Sequence, residues 1–306
     1  MHSVKGVGDE EDDERVMAPP FTRGLKLASG AVIPAIGLGV YKTPPGSTTQ
    51  QAVLTALQCG YRHIDTAQLY QNEADVGEAI IASTIPRKEI FITTKLWASE
   101  WGYEKATAAI HASLARLQTN YIDLLLLHAP GDPGLRAQTW AALEDARDRD
   151  LVRDIGVSNF GQPHLEKLLL TARYPPAVNQ IEVHPFLQRR ELVDYCQNKL
   201  NMVVEAYSPL AKAKKLQDPI VEALARRLSS AHTTTSTPTT VTPAQVLLAW
   251  GLSKKLIVLP KSVHPERQLS NLGAANVVLS DADVKELDTL DQGLVTGWDP
   301  ITTAPV

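Results

Sequence analysis

The passage Gly60–Ile80, GYRHIDTAQLYQNEADVGEAI, changes its hydrophobic period part-way along. Tyr61-Arg62-His63-Ile64 reads as a short strand. Asp65, Thr66 and Ala67 leave it through turn-forming residues, and a helix opens at about Glu73. Two later runs end in the same manner: Glu89–Thr94, EIFITT, stops at Lys95, and Tyr121–Leu127, YIDLLLL, stops at His128. Side chains at the carboxyl ends of several parallel strands converge on one face of an α/β barrel. An acid, a phenol, an ammonium and an imidazole, at Asp65, Tyr70, Lys95 and His128, are therefore expected in one site.

Tyr70 is the natural centre of that group. A free phenol titrates near ~10 and is a poor acid at neutral pH, and a cation close by stabilises the phenolate. Lys95 is expected to supply the cation and to lower the phenol's pKa, with Asp65 holding the ammonium by a charge-assisted hydrogen bond. Such a tyrosine protonates an oxygen that is becoming an alkoxide.

The rest of the chain repeats the strand and helix alternation. Strands are expected at Ala35–Val40, Tyr61–Asp65, Glu89–Lys95, Ile122–Leu127, Val152–Val157, Ala177–Ile181, Met202–Ala206 and Ile257–Leu259. Helical spacing recurs between them at Thr48–Gln58, Tyr103–Leu117, Ala137–Asp148, Pro163–Leu170 and Arg190–Lys199. Eight βα units with no shift in composition predict one closed (β/α)8 barrel domain over residues 21–306. Phe21–Ile33, with its Ser-Gly turn, reads as a hairpin outside the repeat, and Asp281–Leu290 as an extra helix capped by Asp281. Gly37-Leu38-Gly39 lacks the third glycine of a Rossmann fingerprint, so a dinucleotide would have to be held in another way.

Charge and cysteine content narrow the function classes. Asp9–Glu14 holds six of the 34 acidic residues, and Lys5 and Arg15 two of the 30 basic ones, so the signs balance from Phe21 onward. A neutral body gives no reason to expect nucleic acid or an anionic membrane as partner. Residues 1–20 lack an apolar core and read as an acidic, disordered tail rather than a secretory signal. No run is long enough to cross a bilayer. Cys59 and Cys196 are too few for a disulfide framework, which points to a reducing, cytoplasmic setting. No histidine has metal-ligand spacing. His63, among apolar neighbours, is expected to be buried and hydrogen-bonded, and His184 precedes Pro185 at a turn.

GYRHIDTA followed by Tyr70, then ITTKLW, LLLLHAP, IGVSNF, NQIEVHP, EAYSPLA and LPKS, occur in an order that resembles the aldo-keto reductases, NADPH-dependent carbonyl reductases on a TIM barrel. The resemblance covers about Gly24–Gln292. It implies that Asp65, Tyr70, Lys95 and His128 are the catalytic tetrad, and that the leading hairpin closes the bottom of the barrel. A histidine at His128, where a branch reducing steroid double bonds has glutamate, implies carbonyl reduction. The expected partner is a small carbonyl compound and the expected state a monomer.

The same resemblance implies a cofactor site, for NADPH or NADP+, made of Gly39, Val40, Asp65, Ser158, Asn159, Gln180, Tyr207, Ser208 and Leu210 at one end and Lys261, Ser262, Val263, Arg267 and Asn271 at the other. Chemistry agrees with the resemblance. Amide and hydroxyl groups at Ser158, Asn159 and Gln180 suit a nicotinamide carboxamide, the alternative being that Ser158 and Asn159 merely cap a helix and that Tyr207 merely packs. Tyr207 offers a flat ring for stacking. Lys261, Ser262 and Arg267 stand beside an expected helix start, where a 2′-phosphate would find two cations and free N–H groups.

Two features depart from the family. Ser270 replaces a glutamate or glutamine that usually faces the adenine, and Ser229–Pro243, SSAHTTTSTPTTVTP, lengthens a short turn into what reads as a surface loop. Tyr41, Trp97 and Trp298, with Tyr70 and His128, are candidates for the substrate pocket, and the short APGDPG loop after His128 predicts an open one. Two rival readings stay open on residues alone: a Schiff-base aldolase using Lys95, and a cofactor-bearing partner module like the potassium-channel β subunits.

Overall fold

The computed structural model describes residues 23–231 and 240–306. The expected acidic tail, Phe21 at the head of the expected hairpin, and residues 232–239 of the Ser/Thr/Pro stretch lie outside the described residues. Two short antiparallel strands come first, β1 (Gly24–Lys26) and β2 (Val32–Pro34), with Leu25 opposite Ile33. Eight parallel strands follow: β3 (Leu38–Gly39), β4 (His63–Asp65), β5 (Phe91–Leu96), β6 (Ile122–Leu127), β7 (Val152–Ser158), β8 (Val178–Glu182), β9 (Val203–Tyr207) and β10 (Ile257–Leu259). The edge strands meet through a parallel bridge, Ile36 with Val258, and Gly37 and Gly39 donate their N–H groups to Val258 and Pro260. The sheet is thereby a barrel, as the eight strand-like runs predict.

Helices α1 (Ser47–Gln58), α2 (Glu73–Ala82), α3 (Tyr103–Leu117), α4 (Pro133–Asp148), α5 (Gln162–Leu169), α6 (Arg190–Asp194), α7 (Pro219–Ala231), α8 (Pro243–Ser253) and α9 (Pro265–Leu272) connect the strands. After the eighth unit come α10 (Asp281–Asp288) and a short α11 (Pro300–Thr303). The cap of α10 corrects the expectation. Ser280, not Asp281, accepts from the Asp283 N–H, while the Asp283 carboxylate accepts from the Ser280 N–H, a reciprocal box that leaves Asp281 inside the first turn.

The period-two alternation of each strand sorts its residues into two apolar compartments. Ile64, Ile92, Leu125, Leu127, Ile155, Val157, Ile181 and Val204 belong to the large cluster shared with the helices. Phe91, Leu124, Leu126, Val178, Ile257 and Leu259 form a second cluster with Leu27 and Ile33 of the hairpin. The hairpin thus plugs the lower barrel with apolar side chains. Above that plug the inward positions become polar: His63, Asp65, Thr93, Lys95, Gln180 and Glu205 are all buried. Polar groups so deep are tolerated only when they bond one another, and this layer is where the chemistry is found.

The helix ring is packed closely enough to exclude single methyl groups. A Cβ on Gly77 of α2 would lie 2.6 Å from the Leu117 carbonyl oxygen at the end of α3. Because the obstacle is backbone, Gly77→Ala is expected to destabilise the protein by about 1–3 kcal/mol, as overpacked sites do. A lower urea midpoint at unchanged slope would show it, and an unchanged midpoint would mean that α2 and α3 separate freely.

Candidate active site

Register explains how Asp65 and Lys95 meet. Asp65 at the end of β4 is paired with Thr93 on β5, and Lys95, two residues on, projects from the same face of that strand. The Lys95 ammonium lies 2.8 Å from each Asp65 carboxylate oxygen, 2.9 Å from the Thr66 carbonyl and 3.3 Å from the Tyr70 hydroxyl. Lys95 and Asp65 are 1% and 4% exposed, so the pair is desolvated and held by hydrogen bonds as well as charge. Thr66 is fixed through Asn72: its hydroxyl donates to Asn72 Oδ1, and the Asn72 amide in turn donates to the Val40 and Thr43 carbonyls.

Tyr70 corrects one expectation. Burial, followed by the charge of Asp65 and the nearby Tyr41 and Glu205, holds its phenol well above the ordinary value rather than below it. Asp65 is bonded to the lysine and so offsets the cation that was expected to dominate. Tyr70 is therefore protonated across the neutral range, with Lys95 beside it to stabilise phenolate as the proton departs. His128 follows β6 directly, its ring 5.6 Å from that of Tyr70. Burial, then Lys95, depresses its pKa well below the usual imidazole range. A neutral ring has one N–H to donate toward an oxygen.

The next strand ends are tied to this centre. Asn159 adopts a left-handed conformation (φ 63°), one that asparagine tolerates, and its carboxamide donates to the His128 carbonyl at 3.0 Å and to Ser158 Oγ at 3.1 Å. The Tyr207 hydroxyl donates to Asn159 Oδ1 at 2.8 Å, and Ser158 Oγ donates to the Gln180 carbonyl at 2.9 Å. Gln180 Nε2 reaches 2.8 Å from both Asp65 Oδ2 and Glu205 Oε2. Residues of β4, β7, β8 and β9, with His128 just past β6, thereby share one hydrogen-bonded layer. Among the described residues no group of His, Cys, Asp and Glu could hold a metal ion.

Aromatic rings form the mouth. Tyr41 stands 5.0 Å from Tyr70, Trp97 5.2 Å from His128 and Trp298 5.9 Å from Trp97, measured between centroids. Trp298 arrives on a C-terminal segment fastened at three points: Thr296 N–H and hydroxyl donate to Glu182, Arg189 pairs with Asp299 at 2.7 Å, and Lys212 donates to the Thr296 carbonyl at 2.7 Å. Exposed Leu69 lies one residue before Tyr70 in the turn.

Residues 35–292 match the model of the Aldo/keto reductase family. The chain belongs to that family. An aldo-keto reductase of Mycolicibacterium smegmatis is 42% identical over 287 residues, covering 94% of this chain and 98% of its relative. A glyoxal reductase of Bacillus subtilis is 38% identical and covers 90% and 95%. The crystal structure of an aldo-keto reductase enzyme from a Medee basin deep-sea metagenome library superposes with a TM-score of 0.84 at 36% identity, covering 93% of this chain and all of that one. This aldo-keto reductase is accordingly an oxidoreductase of carbonyl compounds, in a family that uses nicotinamide cofactors.

The donor set of this aldo-keto reductase suits such a cofactor. Gly39 ends β3 and Val40 follows it, Ser158 ends β7 with Asn159 next, Gln180 is at the middle of β8, and Tyr207 ends β9 with Ser208 (φ 48°) and Leu210 just beyond. Lys261 and Arg267 flank the start of α9, whose cap residue, His264, makes no side-chain capping bond while its carbonyl accepts from the Arg267 and Gln268 N–H groups. Both cations are exposed, and among the described residues neither is engaged in an ion pair. Ser262 Oγ accepts from the His264 N–H at 3.0 Å, Val263 lies between these two residues, and Asn271 is buried against the core on the same helix. Two exposed cations beside a helix N-terminus are the chemistry that suits a phosphate. Ser270, on the same helix, presents its carbonyl to Gln245 Nε2 at 2.9 Å.

Sequence reasoning missed Glu205. It sits on the inward parity of β9 in the run VVEAY, and a charged residue at such a position is a signal in itself. Lys95 also answers the aldolase alternative: all three of its N–H groups have acceptors, and its nitrogen faces a carboxylate rather than open space. Lys95→Met should leave Asp65 as a buried charge with only Gln180 to satisfy it, lowering stability by about 3–5 kcal/mol. Urea unfolding of the two proteins would decide it, and a loss under about 1 kcal/mol would mean the pair is solvated.

Proposed function

We propose that this enzyme reduces an aldehyde or ketone to the alcohol with NADPH, Tyr70 serving as general acid. The observation that carries the reading is the Tyr70 hydroxyl 3.3 Å from a lysine locked onto a buried aspartate, with a neutral histidine beside it. A bound NADPH would supply the hydride. Tyr70 delivers its proton to the carbonyl oxygen, and Lys95 stabilises the phenolate left behind. His128 donates an N–H to the same oxygen and orients it. Ser158, Asn159 and Gln180 would hold the nicotinamide carboxamide, Tyr207 its ring, and Lys261, Ser262 and Arg267 the 2′-phosphate. The rings of Tyr41, Trp97 and Trp298 favour an apolar or aromatic carbonyl compound.

A monomer in a reducing, cytoplasmic compartment fits the two unpaired cysteines. No helix among the described residues is long and apolar enough to cross a membrane.

Tyr70→Phe removes the proton donor with little change in shape. Aldehyde reduction, followed as loss of NADPH absorbance, should fall roughly 10²–10⁴-fold, while NADPH still binds in a fluorescence titration. Near-normal turnover by the variant would refute Tyr70 as the acid.

Cofactor preference gives an independent check. Charge-assisted contacts are worth roughly 1.5–3 kcal/mol each, so Lys261 and Arg267 together imply a preference for NADPH over NADH of order 10²-fold or more. Arg267→Ala should raise the NADPH Kd strongly and leave the NADH Kd nearly unchanged, with a smaller contrast at high salt. Equal losses for the two cofactors would mean that Arg267 supports α9 instead of reading the phosphate.

A further inference from the structure

Behind the tetrad the barrel holds a second carboxyl group, that of Glu205, which the reduction itself does not touch. It is fully buried on β9. Glu205 Oε2 accepts from Gln180 Nε2 at 2.8 Å, and the same nitrogen donates to Asp65 Oδ2 at 2.8 Å. The other oxygen, Oε1, has no hydrogen-bond partner and lies 3.6 Å from His63 Nε2, which is engaged with Thr93 Oγ1 at 3.0 Å. One amide group therefore bridges two carboxyl groups, of which one carries the lysine and the other carries nothing.

We propose that Glu205 is a positioning residue of the reduction centre, which as an uncharged acid anchors Gln180 against Asp65 and leaves Asp65 and Lys95 as the only charges behind Tyr70. The inference rests on Tyr70 as the proton donor.

The charges around Glu205 make the neutral form the consistent one. Burial above all, then repulsion by Asp65, raises its pKa to about 8 against the opposing effects of Gln180 and Lys95. Burial likewise depresses His63, to about 3, with Lys95 adding to the effect and the Pro34 carbonyl opposing it. The 3.6 Å approach of His63 and Glu205 is thus between two neutral groups and is no ion pair. Were Glu205 to ionise, the layer would hold two negative charges against one positive. Glu205 already counts among the groups that disfavour the Tyr70 phenolate, so its full charge would make Tyr70 a weaker acid. Tyr70 itself titrates far above pH 8 and His128 far below it. A change in rate near pH 8 therefore reports Glu205.

The test compares wild type with Glu205→Gln, whose side chain keeps the acceptor for Gln180 and stays uncharged at every pH. The kcat for aldehyde reduction by wild type should fall about threefold or more between roughly pH 7 and pH 9, while KM changes little. In the variant the ratio of the two rates should be near one.

Stability without cofactor gives a second readout. The folded wild type keeps the Glu205 proton up to about pH 8, whereas the unfolded chain releases it near the ordinary value of 4.5. The folded state then binds more protons between those values, and wild-type stability must fall as pH rises through that window. Glu205→Gln lacks this term, so its Tm should gain on that of wild type from about pH 5 to pH 8 and hold its lead above.

Superimposable pH profiles of kcat, or parallel Tm curves, would overturn the proposal. If the variant does not fold, ¹³C-labelled glutamate in wild type decides. A carboxyl carbon and the kcat profile sharing a midpoint near pH 8 support the inference, and no glutamate titrating above about pH 6.5 overturns it. A wild-type protein that consumes no NADPH with any aldehyde would instead refute the functional reading on which this one rests.

Discussion

The contact between the Lys95 ammonium and the Asp65 carboxylate is the constraint to which the upper barrel conforms. Two opposite charges taken out of water are tolerable only if nearly every hydrogen-bonding position around them is filled. The structure fills them from four directions: the Thr66 carbonyl, the Tyr70 hydroxyl, the Gln180 amide and both carboxylate oxygens themselves. Each of these neighbours is fixed in turn, Thr66 through Asn72 and Gln180 through Glu205. The result is a polar layer laid across the top of an apolar plug. Its rigidity sets where a proton donor can stand.

The division of the barrel into a dry lower half and a bonded upper half also accounts for the directions in which its groups are perturbed. Burial favours the uncharged form of His128, His63 and Glu205, and packing around the half-buried Tyr70 does the same for its phenol. Among them lies the Asp65 and Lys95 ion pair, its Nζ 2.8 Å from each carboxylate oxygen. An active site with one ion pair and otherwise neutral titratable groups is preorganised for a reaction in which charge appears briefly on one oxygen.

Much of this was legible in the sequence, because strand ends are marked by a change of residue type. The run YIDLLLL stopping at His128 and EIFITT stopping at Lys95 placed two of the four tetrad members before any fold was in hand, and the strand positions needed only small adjustment. Capping of α10 was misread because Ser280 and Asp281 are both good caps, and only the reciprocal bond to Asp283 separates them. The sign of the Tyr70 shift was not legible. It depends on how much water the fold removes and on whether Asp65 cancels Lys95, neither of which is a property of spacing. Glu205 was half legible: its parity on β9 is visible in VVEAY, but the bridge through Gln180 joins positions on two strands.

The aromatic mouth is assembled differently from the floor beneath it. Tyr41 and Trp97 follow strands of the barrel, whereas Trp298 is carried on a C-terminal segment clipped to the end of β8 and to the loops beyond it by Glu182, Arg189 and Lys212, none of them a member of the tetrad. One wall of the entrance is thus hung from the frame and not built into it. Change in that segment alters what is admitted while the reacting layer keeps its dimensions, so the range of compounds accepted and the ability to reduce them are separately heritable traits of one chain.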